Sequence, residues 1–283
     1  MDKGDAVEIA IRGHKCAYDW LGEGPHVTLL HSVGLSTREG WRSQIGPLAR
    51  HFRVLSYDFR GLGQSETGTE PVGIETFTRD LEALLQALGV KRTALVGVSL
   101  GGMVAQTFAI GHPETVSALV LTSTACQLVP GSTERLRARN ERIKQNGMAV
   151  AADPQLLSHF TREFGAANPA VLAWYKSHYL ANNPENYMAI MEDNCRFDIS
   201  TQVSAIRAPT LIVAGELDDT SVAGKQPLDS ARQLNRLIAG SELLVVPGAK
   251  HYPQIDQSEF VTERMLGFLT KTLAHEQPFK AAG

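Results

Sequence analysis

Six short runs rich in Val, Leu and Ile set the strongest limit on how this chain can fold. They are "HVTLLHS" at 26–32, "FRVLSYD" at 52–58, "TALVGVS" at 93–99, "VSALVLTST" at 116–124, "PTLIVAG" at 209–215 and "SELLVVPG" at 241–248. A strand with one wet face alternates apolar and polar residues, whereas these runs are nearly continuous. That pattern belongs to strands covered on both faces, as in a parallel sheet. Parallel neighbours need long crossovers, and helix-like segments occupy most of the intervals. In "IETFTRDLEALLQALG", 74–89, Phe77, Leu81, Leu84, Leu85 and Leu88 recur at helical spacing, and Gly89 supplies a C-terminal stop. The alternation predicts an α/β architecture with right-handed crossovers. "AVEIAI" at 6–11 and "HKCAYDWLG" at 14–22 read as an antiparallel pair leading into the sheet.

One block breaks the alternation. From about Pro130 to Val203 no buried strand is evident, and helical stretches such as "STERLRARNERIKQNG" and "NPAVLAWYKSHYLANN" take its place. The block is too long for a loop in a compact domain. The expected organisation is a core formed by 1–129 and 204–283, with 130–203 inserted as a helical cap over one end of the sheet. No internal repeat or low-complexity tract appears.

Composition narrows the function classes. The formal charge of −3 over 283 residues leaves no basic footprint for nucleic acid or anionic lipid. Cys16, Cys126 and Cys195 are few, odd in number and far apart, which fits neither a disulfide framework nor a zinc site and suits a reducing compartment. The start "MDKGDAVEIAIRG" lacks an apolar signal core, and no run approaches about 18 uninterrupted apolar residues. The expectation is a soluble, cytoplasmic protein without nucleic-acid or membrane partners. A homo-oligomer is compatible with the sequence.

Gly97-Val98-Ser99-Leu100-Gly101 fits G-x-S-x-G. The pentapeptide alone is equally compatible with a glycine-rich turn and a capping serine. Its setting adds weight, because a buried strand enters it and the helical "GGMVAQTFAIGHP" leaves it, as in a turn that presents a strained nucleophile. A serine hydroxyl needs a base, and the base needs an orienting acid. "ELDDTS" after the fifth run places Asp218 and Asp219 past a strand's carboxyl end. "GAKHYPQID" places His251 likewise one strand later. Carboxyl ends of parallel strands face a common crevice. Asp218 is preferred over Asp219 because it holds the G-x-x-D place counted from Gly215.

Serine, aspartate, histidine is the chain order of the α/β-hydrolase triad, and the sequence resembles that superfamily along nearly its whole length. The resemblance implies an α/β-hydrolase fold, a mostly parallel sheet flanked by helices with a helical cap. "HSVG" at 31–34 is similar to the H-G-x-G segment after the third strand, which implies an oxyanion hole from the N–H groups of Val33 and Leu100. Ser32 stands where glycine is usual. "DFRGLGQS" at 58–65 resembles a loop that is mainly structural in the family, so Asp58 and Arg60 receive no chemical role. Within the superfamily, "HSVGLSTREGW", "HFRVLSYDFRGLGQSE", "GVSLGG", "LVLTSTA", "NPENYMAIMEDNCRFDI" and "IRAPTLIVAGELD" are most similar to 3-oxoadipate enol-lactonases. Those enzymes usually carry asparagine in place of His31 and a small residue in place of Lys250.

The resemblance implies a serine hydrolase that opens a small lactone or cleaves a carboxylic ester through an acyl-serine, with no cofactor and no metal. Carboxylesterases, C–C bond hydrolases of aromatic catabolism and ligand-sensing members without turnover remain as alternatives. Dehalogenases and epoxide hydrolases of this fold place Asp where Ser99 stands. "GLGQSE" at 61–66 lacks the third glycine of a dinucleotide-binding loop.

Other residues carry two readings each. Trp41 is a core residue or a pocket wall. Trp174, Tyr175, Met188 and Met191 recur at helical intervals and either pack the cap or line an acyl pocket; Trp174 and Met191 are the candidates retained, with Trp41 and His31. His31 otherwise organises its loop. Arg135, Arg137, Arg139, Arg142 and Lys144 read as a solvated helix face from which one arginine can still meet a substrate carboxylate.

Overall fold

The computed structural model describes residues 7–35, 38–127, 132–220 and 227–275. Residues 1–6 (and with them the first residue of "AVEIAI"), the boundary residue Pro130 and the side chain of Arg135 lie outside the described residues. The six apolar runs become β3 (His26–Leu30), β4 (Arg53–Tyr57), β5 (Thr93–Val98), β6 (Val116–Thr122), β7 (Thr210–Gly215) and β8 (Glu242–Val246). They follow the antiparallel pair β1 (Val7–Ile11) and β2 (His14–Leu21). The sheet order is β1-β2-β4-β3-β5-β6-β7-β8, with β2 antiparallel to β4 and every later pairing parallel. Every residue of β5, β6 and β7 is buried, which is why their sequences do not alternate.

The order places the site before any side chain is considered. From β3 the chain steps outward to β4, then returns past β3 to add β5 on its other side. Connections leave in opposite directions from β3 and β5, and a crevice opens beyond their carboxyl ends. The segment after β3, beginning at His31, and the turn after β5, at Ser99, both border it.

Helices cover the two faces. Among the described residues α1 (Arg42–Ala49), α2 (Ile74–Ala87) and α3 (Leu100–Gly111) precede β6. The predicted stripe of α2 is buried at Phe77, Leu81, Leu84 and Leu85, and the helix stops just before Gly89, where Val90 N–H closes onto the Leu85 carbonyl. Between β6 and β7 come α4 (Ser132–Asn146), α5 (Ala149–His159), α6 (Arg162–Ala167), α7 (Pro169–Leu180) and α8 (Pro184–Asn194). Their starts are legible locally. Pro169 and Pro184 sit in first turns, and Thr161 and Asn183 accept from Phe164 N–H and Asn186 N–H as N-caps. This helical block docks on the sheet domain through α8: Asn186 donates to the Gly61 carbonyl at 2.9 Å, and Asp193 accepts from Ile74 N–H at 2.7 Å. The chain then closes with α9 (Pro227–Leu237), α10 (Pro253–Asp256) and α11 (Ser258–Leu273). No described helix is long and apolar enough to cross a membrane.

The "DFRGLGQS" loop is an internal brace. Asp58 is fully buried and accepts from the Arg38 and Gln64 N–H groups and from Arg38 Nη1, while Arg60 is clamped on Asp80 at 2.8 Å. Burial pushes the Asp58 carboxyl up despite the facing Arg38. Both residues are structural here, well tied and away from the crevice.

Candidate active site

Ser99 sits between β5 and α3 with φ 54° and ψ −113°, a left-handed conformation that costs energy in a non-glycine residue. Its backbone is held by Ser99 N–H to the Thr122 carbonyl at 2.9 Å and by the Thr124 hydroxyl donating to the Ser99 carbonyl at 2.8 Å. Glycine on either side is a steric necessity: a Cβ on Gly101 would stand 2.3 Å from the Leu30 carbonyl oxygen, and one on Gly97 2.4 Å from the Gly101 carbonyl oxygen. So tight a turn leaves the serine side chain at the crevice. Leu100, the next residue, opens α3, and its N–H belongs to the first turn, where helical partners are lacking.

Asp218 and His251 arrive from β7 and β8. The two loops pass each other at Gly215, where a Cβ would lie 2.0 Å from the Lys250 carbonyl oxygen, so glycine permits the approach. His251 Nδ1 stands 2.9 Å from Asp218 Oδ2, and the carboxylate is buried. Burial alone would raise the Asp218 carboxyl, but His251 and the hydrogen bonds from His251 and Thr220 outweigh it and hold it below the usual range. Thr220 adds its hydroxyl between the two, donating to Asp218 Oδ1 and lying 2.9 Å from His251 Nδ1. Asp219 is exposed at the edge of the cavity that Ser99 and His251 line, and is held in an ion pair with Lys250 at 3.1 Å. Lys250 also donates to the Leu157 carbonyl of α5 at 3.1 Å, tying the β8 loop to the helical block.

Ser99, Val33 and His251 line one cavity of about 330 Å³, and Arg139, His159 and Met191 of the helical block are among its other lining residues. Of the four pocket candidates, Met191 reaches this cavity. His31, Trp41 and Trp174 are not among its lining residues, and each departure has a physical cause. His31 is fully buried beneath the loop: Nδ1–H donates to the Ser32 carbonyl at 2.8 Å and Nε2 accepts from Phe59 N–H at 2.9 Å. Burial lowers it to about 4, so the ring is neutral and both nitrogens are spent on the backbone. Trp41 is fully buried and donates to the Leu30 carbonyl at 3.1 Å. Trp174 lies on α7 about 100° around the helix from the inward-facing Tyr175 and about 140° from Tyr179, and stacks instead under Arg42 of α1 at 4.9 Å.

Three residues that shape the site carry no assigned role in the sequence reading, which noted Ser32 only as a replacement for glycine. Ser32 does not need glycine's conformational range; its hydroxyl accepts from Leu35 N–H at 3.1 Å and bonds the Tyr252 hydroxyl at 2.7 Å. His159, at the end of α5, bonds the Tyr175 hydroxyl at 2.5 Å and stacks on His251. Nothing in the order of motifs marks His159. Tyr252 follows His251 directly and was available as its neighbour.

The arrangement can support acyl transfer. A hydroxyl at a strained turn, an imidazole oriented by a buried carboxylate, and backbone N–H groups at a helix start and a neighbouring loop are the parts such chemistry needs.

Comparison with known proteins places these features in context. A family model described as alpha/beta hydrolase fold matches residues 25–258. The 3-oxoadipate enol-lactonase 2 of Acinetobacter baylyi is 28% identical over 211 residues, 74% of this chain and 78% of that protein. The proposed carbamate hydrolase RutD of Klebsiella pneumoniae subsp. pneumoniae is 32% identical over 239 residues, 82% of this chain and 86% of the relative. The crystal structure of the enol-lactonase from Burkholderia xenovorans LB400 superposes with a TM-score of 0.86 at 29% identity, covering 93% of this chain and 100% of the other.

Proposed function

The chain belongs to the alpha/beta hydrolase fold family, and from that premise we propose that it is a serine hydrolase that cleaves a small lactone or carboxylic ester. One observation carries the reading: the strained Ser99 opens onto the cavity that His251 lines, and His251 is held by the buried Asp218 at 2.9 Å. In this reading His251 takes the Ser99 proton, and Asp218 fixes the imidazole's tautomer and favours its charged form. The Ser99 oxygen adds to the carbonyl carbon, and the N–H groups of Val33 and Leu100 receive the oxyanion. Collapse expels the alkoxide or enolate, which takes a proton from His251. Water, deprotonated by His251, then attacks the acyl-serine and releases the acid.

The names of the relatives support an acyl carbonyl substrate and leave its class to experiment, since they include enol-lactonases and a proposed carbamate hydrolase. The 130–203 block is proposed as a cap that roofs the pocket and selects the substrate, while the strand ends supply the chemistry.

The test is multiple-turnover hydrolysis by purified protein of 3-oxoadipate enol-lactone, simple lactones, short acyl esters and a carbamate, with and without chelator. The proposal expects turnover of at least one lactone or ester, unaffected by chelator and abolished by serine-directed reagents. Single turnover throughout would favour ligand sensing, and chelator-sensitive turnover would defeat the mechanism.

A further inference from the structure

The basic run of α4 does not behave as one solvated face. Leu136, Asn140 and Ile143 are buried at spacings of three and four, while Arg137, Arg142 and Lys144 are exposed. Arg139 shares the inward face and lines the same cavity as Ser99 and His251. Its guanidinium lies over the Tyr187 ring, 5.4 Å from the centroid, and the Tyr187 hydroxyl accepts from Tyr179 at 2.7 Å. Arg139 Nε and Nη2 are both buried and have no hydrogen-bond partner among the described residues.

Those two nitrogens form one edge of the guanidinium, with parallel N–H groups at the spacing of a carboxylate's oxygens. Burying charged donors without acceptors is costly, so a guanidinium with an unmatched edge packed behind the cavity lining favours an acceptor that enters the cavity and draws this side chain to it. Among the described lining residues Arg139 is the single Lys or Arg. His159, the nearest additional base of the helical block, is kept neutral by burial and by His251. Asp219 is matched by Lys250. The wall therefore offers a single unmatched positive charge, which suits a monoanion better than a phosphate dianion.

We propose that Arg139 binds a second, free carboxylate of the substrate, so that the enzyme selects monoanionic esters or lactones over neutral ones. The inference rests on reading this cavity as the place where Ser99 attacks its substrate.

The test separates binding from turnover. Monomethyl esters of succinic, glutaric and adipic acid are titrated calorimetrically into Ser99→Ala protein, each against its neutral dimethyl ester. The best monoanion is expected to bind at least about tenfold tighter than its dimethyl ester, the scale of one charge-assisted pair. Adding Arg139→Gln should bring the ratio to about one, and Arg139→Lys should keep part of it, since it retains charge but loses the fork. Thermal unfolding of each variant checks its fold. Equal affinities in Ser99→Ala, a preference that survives Arg139→Gln, or no binding of any monoanion up to about 10 mM would each overturn the proposal. Because no turnover is needed, a protein that binds monoanions through Arg139 yet hydrolyses nothing would refute the hydrolase reading alone. Hydrolysis with no charge preference would refute the Arg139 assignment alone.

Discussion

The ring of His159, from α5, lies flat against the ring of His251, with centroids 4.8 Å apart and planes at 23°. His159 is itself fixed by the Tyr175 hydroxyl and is held well below its ordinary value, first by burial and then by His251. A neutral ring so placed limits how far the His251 imidazole can tilt. His159→Ala should lower kcat by about tenfold with a smaller change in KM, because small misplacements of a reacting group are costly. His159→Phe should recover most of the loss, since the stacked surface is what matters. Steady-state kinetics of the two variants decide; equal losses in both would point to a different role for His159.

Asp218 and Asp219 are neighbours with opposite surroundings. Asp218 is buried on His251, and Asp219 is exposed on Lys250. Asp218→Asn should cost about 10³- to 10⁴-fold in kcat, as an amide favours the wrong histidine tautomer. Asp219→Asn should cost no more than a few-fold, because exposed ion pairs contribute little. The reverse ranking would reassign the acid.

The two retained candidates of the helical block should separate cleanly. Met191 lines the cavity, so Met191→Ala should reorder activity across a substrate panel. Trp174 faces Arg42 instead. Trp174→Ala should leave the ranking alone and lower Tm by roughly 2–4 °C, the effect of losing about 1 kcal/mol of cation–π contact in a domain of this size. Swapped effects would contradict the placement of both residues.

These contrasts mark where the sequence was readable. Strands buried on both faces leave continuous apolar runs, so β5, β6 and β7 could be read directly. A turn this tight demands glycine at 97 and 101, which made Ser99 visible, and the strand order then brought Asp218 and His251 into view. The helical block was less legible because a helix start carries local signals while the docking of its faces does not. Tyr175 and Trp174 are adjacent in sequence yet face the site and α1 respectively. Arg139 was the recoverable case: grouped with Leu136, Asn140 and Ile143 rather than with its basic neighbours, it falls on the buried face.

His31 makes stability depend on pH. Its folded value is about 4 against an ordinary 6.5, so between those values the unfolded chain binds a proton that the folded chain does not. Stability from this residue is therefore complete above about pH 6.5 and falls as pH drops toward 4, by up to about 1.4 kcal/mol per pH unit. Asp256 acts in the opposite sense: burial raises it to about 7, so its contribution is lost as pH rises toward that value. The comparison must then be between the parent and His31→Asn. Their difference in unfolding free energy should slope between about pH 4 and 6.5 and be flat above. A pH-independent difference would show that His31 is not buried as a neutral ring.

The most direct test of the central claim is to look for the acyl group on Ser99. Rapid-quench mass spectrometry during turnover of a short acyl ester should find a transient acyl adduct on the peptide that carries Ser99. Ser99→Ala should fold normally, form no adduct and lose at least about 10³-fold in kcat. Near-normal turnover by Ser99→Ala, or an adduct on another residue, would contradict the account.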